Sequence, residues 1–254
     1  MMSLSVIIIT KNEEQMIRGC LESVSWADEI IVVDSGSNDN TVGICKNLGA
    51  QVHVMDWPGF GPQKNRALGL ATGDWVLSLD ADERVSTELR DEIQEVLATP
   101  GEHVAFRMPR SSSYCGRRMR YSGWWPDYVT RLFKRGRARF SDDPVHERLI
   151  VKGKTAMLKQ PLLHAAFRNL EQVLQKLNNY STTGAIMLQK QQRRASLGIA
   201  ILHDLWTFVR TYFLRAGFLD GREGFMLAVS NAEGAYYRYL KAMLLAEKHT
   251  GTKN

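Results

Sequence analysis

The stretch WVLSLDADERV, residues 75–85, decides how the chain folds. Trp75, Val76, Leu77 and Leu79 make an apolar run too continuous for a strand with one wet face. It reads as a strand covered on both sides, as in a parallel sheet. The run stops at two carboxylates, and an acid at the mouth of a buried strand is costly unless something positive lies beside it. The chain is therefore expected to leave the sheet at about Asp80. Side chains two apart in extended backbone share a face, which would turn Asp80 and Asp82 toward one site, with Glu83 adjacent.

Strand-like and helix-like segments alternate around this run. SVIII (5–9) is followed by EEQMIRGCLESV (13–24), EIIVV (29–33) by NTVGICKNLG (40–49), AQVHVM (50–55) by PQKNRALGLA (62–71), and WVLSL (75–79) by STELRDEIQEVLA (86–98). This order predicts an α/β fold, a mostly parallel sheet flanked by helices. Ligands on such sheets bind outside the carboxyl ends of the strands. The polar clusters TKNEE (10–14), DSGSNDNT (34–41) and DADE (80–83) collect at those ends. From about Val104 to Ile150 the pattern is strand-like and irregular, and from Asn169 it is helical to the end.

At 254 residues and 44% apolar composition the chain has ample material for a core. Its only early apolar run, Val6–Ile9, ends at Lys11 and is too short for a signal peptide. Cys20, Cys45 and Cys115 lack metal-like or redox-like spacing, so reduced thiols in the cytoplasm are expected. No apolar run is long enough for a membrane span. Net charge is +6, and the excess is concentrated. Arg107, Arg110, Arg117, Arg118, Arg120, Arg131, Lys134, Arg135, Arg137 and Arg139 face one acid, Asp127. An anionic partner or a plain solvated face accounts for such a run. Nucleic acid is not expected, because no helix-turn-helix, zinc-finger or RNP pattern accompanies it.

LGIAILHDLWTFVRTYFL (197–214) carries two adjacent apolar stripes: Leu197, Ile201, Leu205, Phe208 and Tyr212, then Leu202, Trp206, Val209 and Phe213. A face this wide is expected in a core or a homodimer interface. Arg193, Arg194, Arg210 and Arg215 keep an anionic membrane surface as the second reading.

Paired oxygens at a strand end suit Mg²⁺ or Mn²⁺ carrying a phosphorylated substrate. Helix-cap and turn acids are the plain alternative for Asp80 and Asp82. There is no glycine-rich dinucleotide fingerprint after the first strand, so the expected ligand is a nucleotide other than NAD.

The ordered set SVIIITKNEE, IIVVDSGSNDNT and PQKNRALGLATGDWVLSLDADE resembles the inverting glycosyltransferases of family 2, which have the GT-A fold of nucleotide-diphospho-sugar transferases. WWPDYVTRLFKRG (124–136), DPVHERL (143–149), LLHAAF (162–167) and GFLDGREGF (217–225) further resemble the bacterial branch that includes lipopolysaccharide core β-1,4-glucosyltransferases. The resemblance implies a GT-A catalytic domain over 1–168, with a nucleotide-sugar half (1–103) and an acceptor half (104–168), followed by a helical region over 169–254. It implies transfer of a sugar, glucose from UDP-glucose, to a lipid-linked or phosphorylated glycan such as an inner-core heptose. The enzyme would be cytoplasmic or peripheral on the inner membrane.

On this resemblance Thr10, Asn12 and Glu13 line the nucleotide pocket, Asp34 receives the uracil N–H, and Lys64 and Asn65 approach the diphosphate. Asp80 is the ribose-side member of the pair and Asp82 the direct ligand of Mg²⁺ or Mn²⁺, with His164 a further metal candidate. An inverting transfer needs a base near the acceptor hydroxyl. Glu147 is the first candidate and Asp127 its rival, while a loop acid paired with Arg148 or Arg131 is the plain reading of Glu147. Trp124, Trp125, Arg131 and His146 are the candidate acceptor contacts, although aromatic pairs and single histidines commonly only pack or hydrogen-bond.

Other classes remain at this stage. A different UDP-sugar or a protein acceptor would use the same site. In haloacid-dehalogenase phosphatases the D-x-D follows the first core strand, whereas here it follows the fourth. A sugar nucleotidyltransferase would need a glycine-rich, lysine-bearing phosphate loop that is absent. A non-catalytic basic binding protein would leave the D-x-D idle.

Overall fold

The structure, a computed structural model, describes residues 2–142 and 147–251. Its elements run β1 (Leu4–Thr10), α1 (Ile17–Ser23), β2 (Glu29–Asp34), α2 (Thr41–Asn47), β3 (Gln51–Val54), α3 (Phe60–Leu70), β4 (Trp75–Asp80), β5 (Glu83–Val85), α4 (Thr87–Ala98), β6 (His103–Tyr114), β7 (Arg117–Arg118) and β8 (Asp127–Lys134). They continue through β9 (Ala138–Phe140), β10 (Leu149–Val151), β11 (Lys154–Met157), β12 (Leu162–Phe167), α5 (Leu170–Lys190), α6 (Leu197–Val209) and α7 (Gly221–Gly251). Between α6 and α7 lie a turn of π-helix, Arg210–Leu214, and a 3₁₀ turn, Gly217–Asp220.

The main sheet has the order β3-β2-β1-β4-β8-β6-β12-β5. β1, β2, β3 and β4 are mutually parallel, and β8 joins β4 antiparallel. β1 is buried along its whole length, and alternate residues serve two different cores. Val6 and Ile8 pack with Leu77, Leu79, Ile17 and Leu21 on one face, while Ile7 and Ile9 pack with Ile31, Val33, Val76 and Ala67 on the other. That double coverage is why these strands read as continuous apolar runs rather than alternating ones. α4 starts where Ser86 accepts from the Leu89 N–H, a cap typically contributing about 1 kcal/mol.

The chain divides into two compact units. The first is Met1–Arg110 with Asp127–His164, and the second is Ser111–Pro126 with Ala165–Asn254. The helical region begins at α5, capped by Asn169. The division falls at His164, and it gives Ser111–Pro126 to the helical unit. A buried acid explains that assignment: Asp220 accepts hydrogen bonds from the Arg120 and Tyr121 N–H groups, at 3.0 and 2.9 Å. Among the described residues no helix is long and apolar enough to cross a membrane. Cys20, Cys45 and Cys115 are free.

The apolar stripes of α6 are not packed in a core of this chain. Ala200 is the one residue of α6 that is buried. Leu202 is 68% exposed and Trp206 55%, and Ile201, Leu205, Val209 and Phe213 are exposed beside them. The helical core forms instead where α7 meets α5 and the inner edge of α6, around Ala185, Leu188, Ala200, Tyr239 and Ala242.

Candidate active site

The carboxyl ends of β1 and β2 are laced to each other. Ser35 N–H donates to the Thr10 carbonyl at 2.9 Å, Asn12 N–H to the Ser37 hydroxyl at 2.8 Å, and Glu13 N–H to the Thr41 hydroxyl at 2.8 Å. Asn12 sits at φ 57°, a left-handed position that asparagine tolerates. Asp34 is fully buried, and its carboxylate accepts from the N–H groups of Gly36 and Ser37 and from the Ser37 hydroxyl. It is the post around which the β2 loop is wound. Thr10, at the end of β1, carries a buried hydroxyl with no partner among the described residues.

At the end of β4 the chain turns at Ala81–Asp82, so the extended spacing that would turn both carboxylates one way does not hold. Asp80 looks to Lys64, whose Nζ is 3.0 Å from Oδ1, and to Arg131. Asp82 looks to His164, with Nε2 3.4 Å from Oδ2. The antiparallel register of β5 and β12 aligns His164 with Glu83 and brings its imidazole to the D-x-D turn.

Lys64, from the first half of α3, is buried and holds a second acid, Glu147, at 3.0 Å. Glu147 is thus paired with neither Arg148 nor Arg131. It is anchored where Ser141 N–H donates to the Arg148 carbonyl and Arg148 N–H to the Ser141 hydroxyl. Gly61 permits this closure, because a Cβ there would lie 1.9 Å from the Ser141 carbonyl oxygen.

Arg131, a candidate acceptor contact, is buried behind the D-x-D, bridging Asp80 and Glu83. Glu83 in turn accepts from the Asp80 N–H at 3.0 Å and meets Arg110, which grips Asp127 through Nε and Nη2 at 2.9 and 2.6 Å. The result is a ribbon of alternating charge, Glu147–Lys64–Asp80–Arg131–Glu83–Arg110–Asp127, along the end of the sheet. Glu83 therefore faces inward and has no exposed surface, whereas Asp80 keeps 34% of its side chain open.

The ribbon sets the charge states. Burial alone would raise Asp80, but Arg131 and Lys64 outweigh it and hold the carboxyl well below the usual carboxylate range. Burial pushes Glu83 up; Arg131 opposes this and the Asp80 charge adds to it. Arg131 is desolvated, but Asp80 and Glu83 raise it further and keep it charged.

The remaining candidates are placed as follows. Asn65 donates to the Phe140 carbonyl and accepts from its N–H, each at 2.9 Å, which ties its amide to β9. In the helical unit Trp124 packs with Tyr114 and Phe167, both centroids 6.1 Å away, and Arg118 lies over Trp125. His146 lies outside the described residues. Of the run of arginines Arg131 is buried, while the exposed Arg135 donates to the Gly73 carbonyl and the exposed Arg107 covers Tyr128. Gly61, Arg110 and the inward role of Glu83 were not foreseen. The excess of arginine after Val104 was the available signal for Arg110, and nothing marked Gly61.

No cluster of three or more histidine, cysteine or acid side chains poised for a metal occurs among the described residues. Asp82 and His164 nevertheless form an oxygen and nitrogen donor pair at a strand end. Mg²⁺ and Mn²⁺ commonly take one or two protein ligands and fill the rest with substrate phosphate and water, so the pair fits an ion that arrives with a nucleotide.

The glycosyl transferase family 2 model matches residues 5–161. The chain belongs to that family. It is a glycosyltransferase with the GT-A type of α/β fold. A family 2 relative, the lipopolysaccharide core biosynthesis glycosyltransferase LpsC of Rhizobium meliloti, is 33% identical over 261 residues, spanning 97% of this chain and 93% of that one. An uncharacterized glycosyltransferase of Rickettsia typhi is 33% identical over 266 residues, 100% of this chain and 90% of its own. Glucosyl-3-phosphoglycerate synthase from Mycobacterium tuberculosis aligns with 45% of this chain and 45% of its own at 29% identity and a TM-score of 0.37, too partial a likeness to bear on this chain.

Proposed function

We propose that this family 2 enzyme moves glucose from UDP-glucose, with inversion, onto a phosphorylated, lipid-linked glycan of the lipopolysaccharide core type. The observation that carries the assignment of roles is the shared ammonium of Lys64, 3.0 Å from both Asp80 and Glu147. One cation ties the strand-end acid to the candidate base. Asp127 is four links further along the ribbon and is held by a two-pronged arginine contact, so Glu147 is the better base.

In this reading the loops after β1 and β2 take the nucleoside. The unpartnered Thr10 hydroxyl meets the base, Asn12 and Glu13 form the pocket wall, and Asp34 shapes the edge that reads the uracil. Asp80 lies on the ribose side, while Asp82 and His164 hold a divalent ion. That ion supplies Lewis-acid neutralisation of the departing diphosphate. The acceptor hydroxyl attacks the anomeric carbon, its proton passes to Glu147, and the bond to the diphosphate breaks. Lys64 faces the charge that develops there. The relationship to LpsC supports the acceptor class, and another UDP-sugar would use the same machinery.

The exposed face of α6, flanked by Arg193, Arg194 and Arg210, supports a peripheral seat on an anionic bilayer, where such an acceptor resides.

The direct test is UDP release from UDP-glucose in the presence of a phosphorylated heptose-bearing lipid. Glu147→Gln should lower kcat by about 10²-fold or more, the usual contribution of a positioned base. Full activity in that variant removes Glu147 from the mechanism.

A further inference from the structure

The helical unit contains a cavity of about 390 Å³, bounded by α5, α6, α7, the π-helical turn and the strand residues Tyr114 and Phe167. Its polar lining has one sign. Lys176, Arg210, Arg215 and Arg238 contribute to the wall, and no aspartate or glutamate does. Lys176 is already engaged, donating to the Ala166 carbonyl at 3.1 Å and lying 4.9 Å from the Phe167 ring centre.

Arg238 is held differently. Its stem crosses Gly184, where a Cβ would lie 2.6 Å from Cδ, and its guanidinium lies 5.4 Å from the Tyr239 ring centre. The Nε–H is buried and has no hydrogen-bond partner among the described residues. A buried guanidinium donor without an acceptor is expensive, because its lost hydration is not replaced. Arg210 and Thr211 reach the cavity from the π-helical turn, a local distortion that proteins retain mostly at functional positions. Opposite them the Tyr114 and Ser230 hydroxyls are 3.0 Å apart, with Ser230 donating onward to the Met226 carbonyl.

We propose that this cavity is a binding site for a phosphate ester, separate from the donor site. The guanidinium fork matches phosphate oxygens, and a phosphoryl group is the ligand that supplies several acceptors at once to a lining of arginines. Its size is that of a pocket for a whole small molecule. Val173, Leu177 and Leu227 line the rest, so the phosphoryl group arrives on a carbon skeleton rather than as a bare ion. A soluble phosphomonoester and a phospholipid head group share this chemistry.

Calorimetric titration of the full chain with glycerol 3-phosphate, alongside flotation with phosphatidic acid vesicles, tests the site and separates the two sources. Saturable binding of either probe is expected. Arg238→Gln and Arg210→Gln should each weaken it about tenfold, the effect of removing one charged hydrogen bond. Arg18→Gln, an exposed arginine outside the cavity and away from α6, and Asp82→Ala should leave it unchanged. Glycerol 3-phosphate binding identifies a soluble ligand class, and vesicle binding alone a lipid one where Arg238→Gln weakens it, whereas vesicle binding that Arg238→Gln leaves unchanged belongs to the α6 face and overturns the proposal. The proposal is overturned if neither probe binds, if both cavity variants bind as the wild type does, or if Asp82→Ala abolishes binding, which would place the anion in the donor site. Arg210 is exposed, so its variant remains informative even where Arg238→Gln perturbs folding.

Discussion

Lys64 Nζ lies 3.0 Å from Asp80 Oδ1 and at the same distance from Glu147 Oε1, in a position that leaves the lysine almost no solvent. Replacing it with methionine keeps the stem, leaves Glu147 without its cation and leaves Asp80 to Arg131 alone. The expected cost is about 3 kcal/mol, at the low end for a broken buried pair because both acids keep some water. A fall in kcat/KM of about 10²-fold or more should accompany it. Urea unfolding and steady-state kinetics measure the two effects, and an unaffected kcat/KM would remove Lys64 from the donor site.

Glu83 and Asp80 make opposite contributions to the pH dependence of stability. A carboxyl whose folded pKa is raised binds its proton more tightly when folded, so Glu83 stabilises the fold as pH falls from neutral toward its ordinary value of 4.5. Asp80, lowered from 3.8, contributes stability that is present above 3.8 and is lost only as pH falls below it. From neutral pH down to 4.5, Glu83 is therefore the member of the pair that moves. Glu83→Gln should flatten the urea-midpoint profile over that interval relative to the wild type. Parallel profiles would show that Glu83 is not raised.

Gly61→Ala drives a methyl group into the Ser141 carbonyl and must displace Ser141, which pairs with Arg148 beside Glu147. A cost of about 1–3 kcal/mol is expected, as for other overpacked positions, with a loss of activity larger than the loss of stability explains. Gly69→Ala, on the same helix with open space around it, should instead stabilise by about 0.5 kcal/mol. Thermal unfolding and turnover of the two variants, compared side by side, check the contrast.

The apolar face of α6 gives a prediction about surfaces. Burying a leucine and a tryptophan in a bilayer interface contributes a few kcal/mol. The double variant Leu202→Ser, Trp206→Ser should therefore bind anionic vesicles more than about tenfold more weakly in co-sedimentation. Unchanged binding would exclude this face as the seat.

The parallel half of the fold was legible because its strands are covered on both faces and so appear as unbroken apolar runs. β1 and β4 could not be mistaken for half-wet strands. The geometry of the D-x-D was not legible, since the turn at Ala81–Asp82 overrides the two-residue periodicity of a strand. Arg131 looked like one basic residue among many. Only the antiparallel pairing of β8 against β4, a contact between distant segments, shows that it closes the charge ribbon behind Asp80. For α6 a related limit holds: amphipathic pattern reports that a face is apolar, not what covers it. Ser111–Pro126 carried no local mark of its attachment, which depends on Asp220 nearly a hundred residues later.

The central claim is that the ends of β1, β2 and β4 hold a uridine nucleotide through an ion on Asp82. Calorimetric titration of UDP and UDP-glucose, with Mn²⁺ or with chelator, into the wild type and Asp82→Ala tests it most directly. The account predicts binding that requires both the ion and Asp82. Uridine nucleotide binding indifferent to either, or no binding at all with Mn²⁺ present, would contradict it.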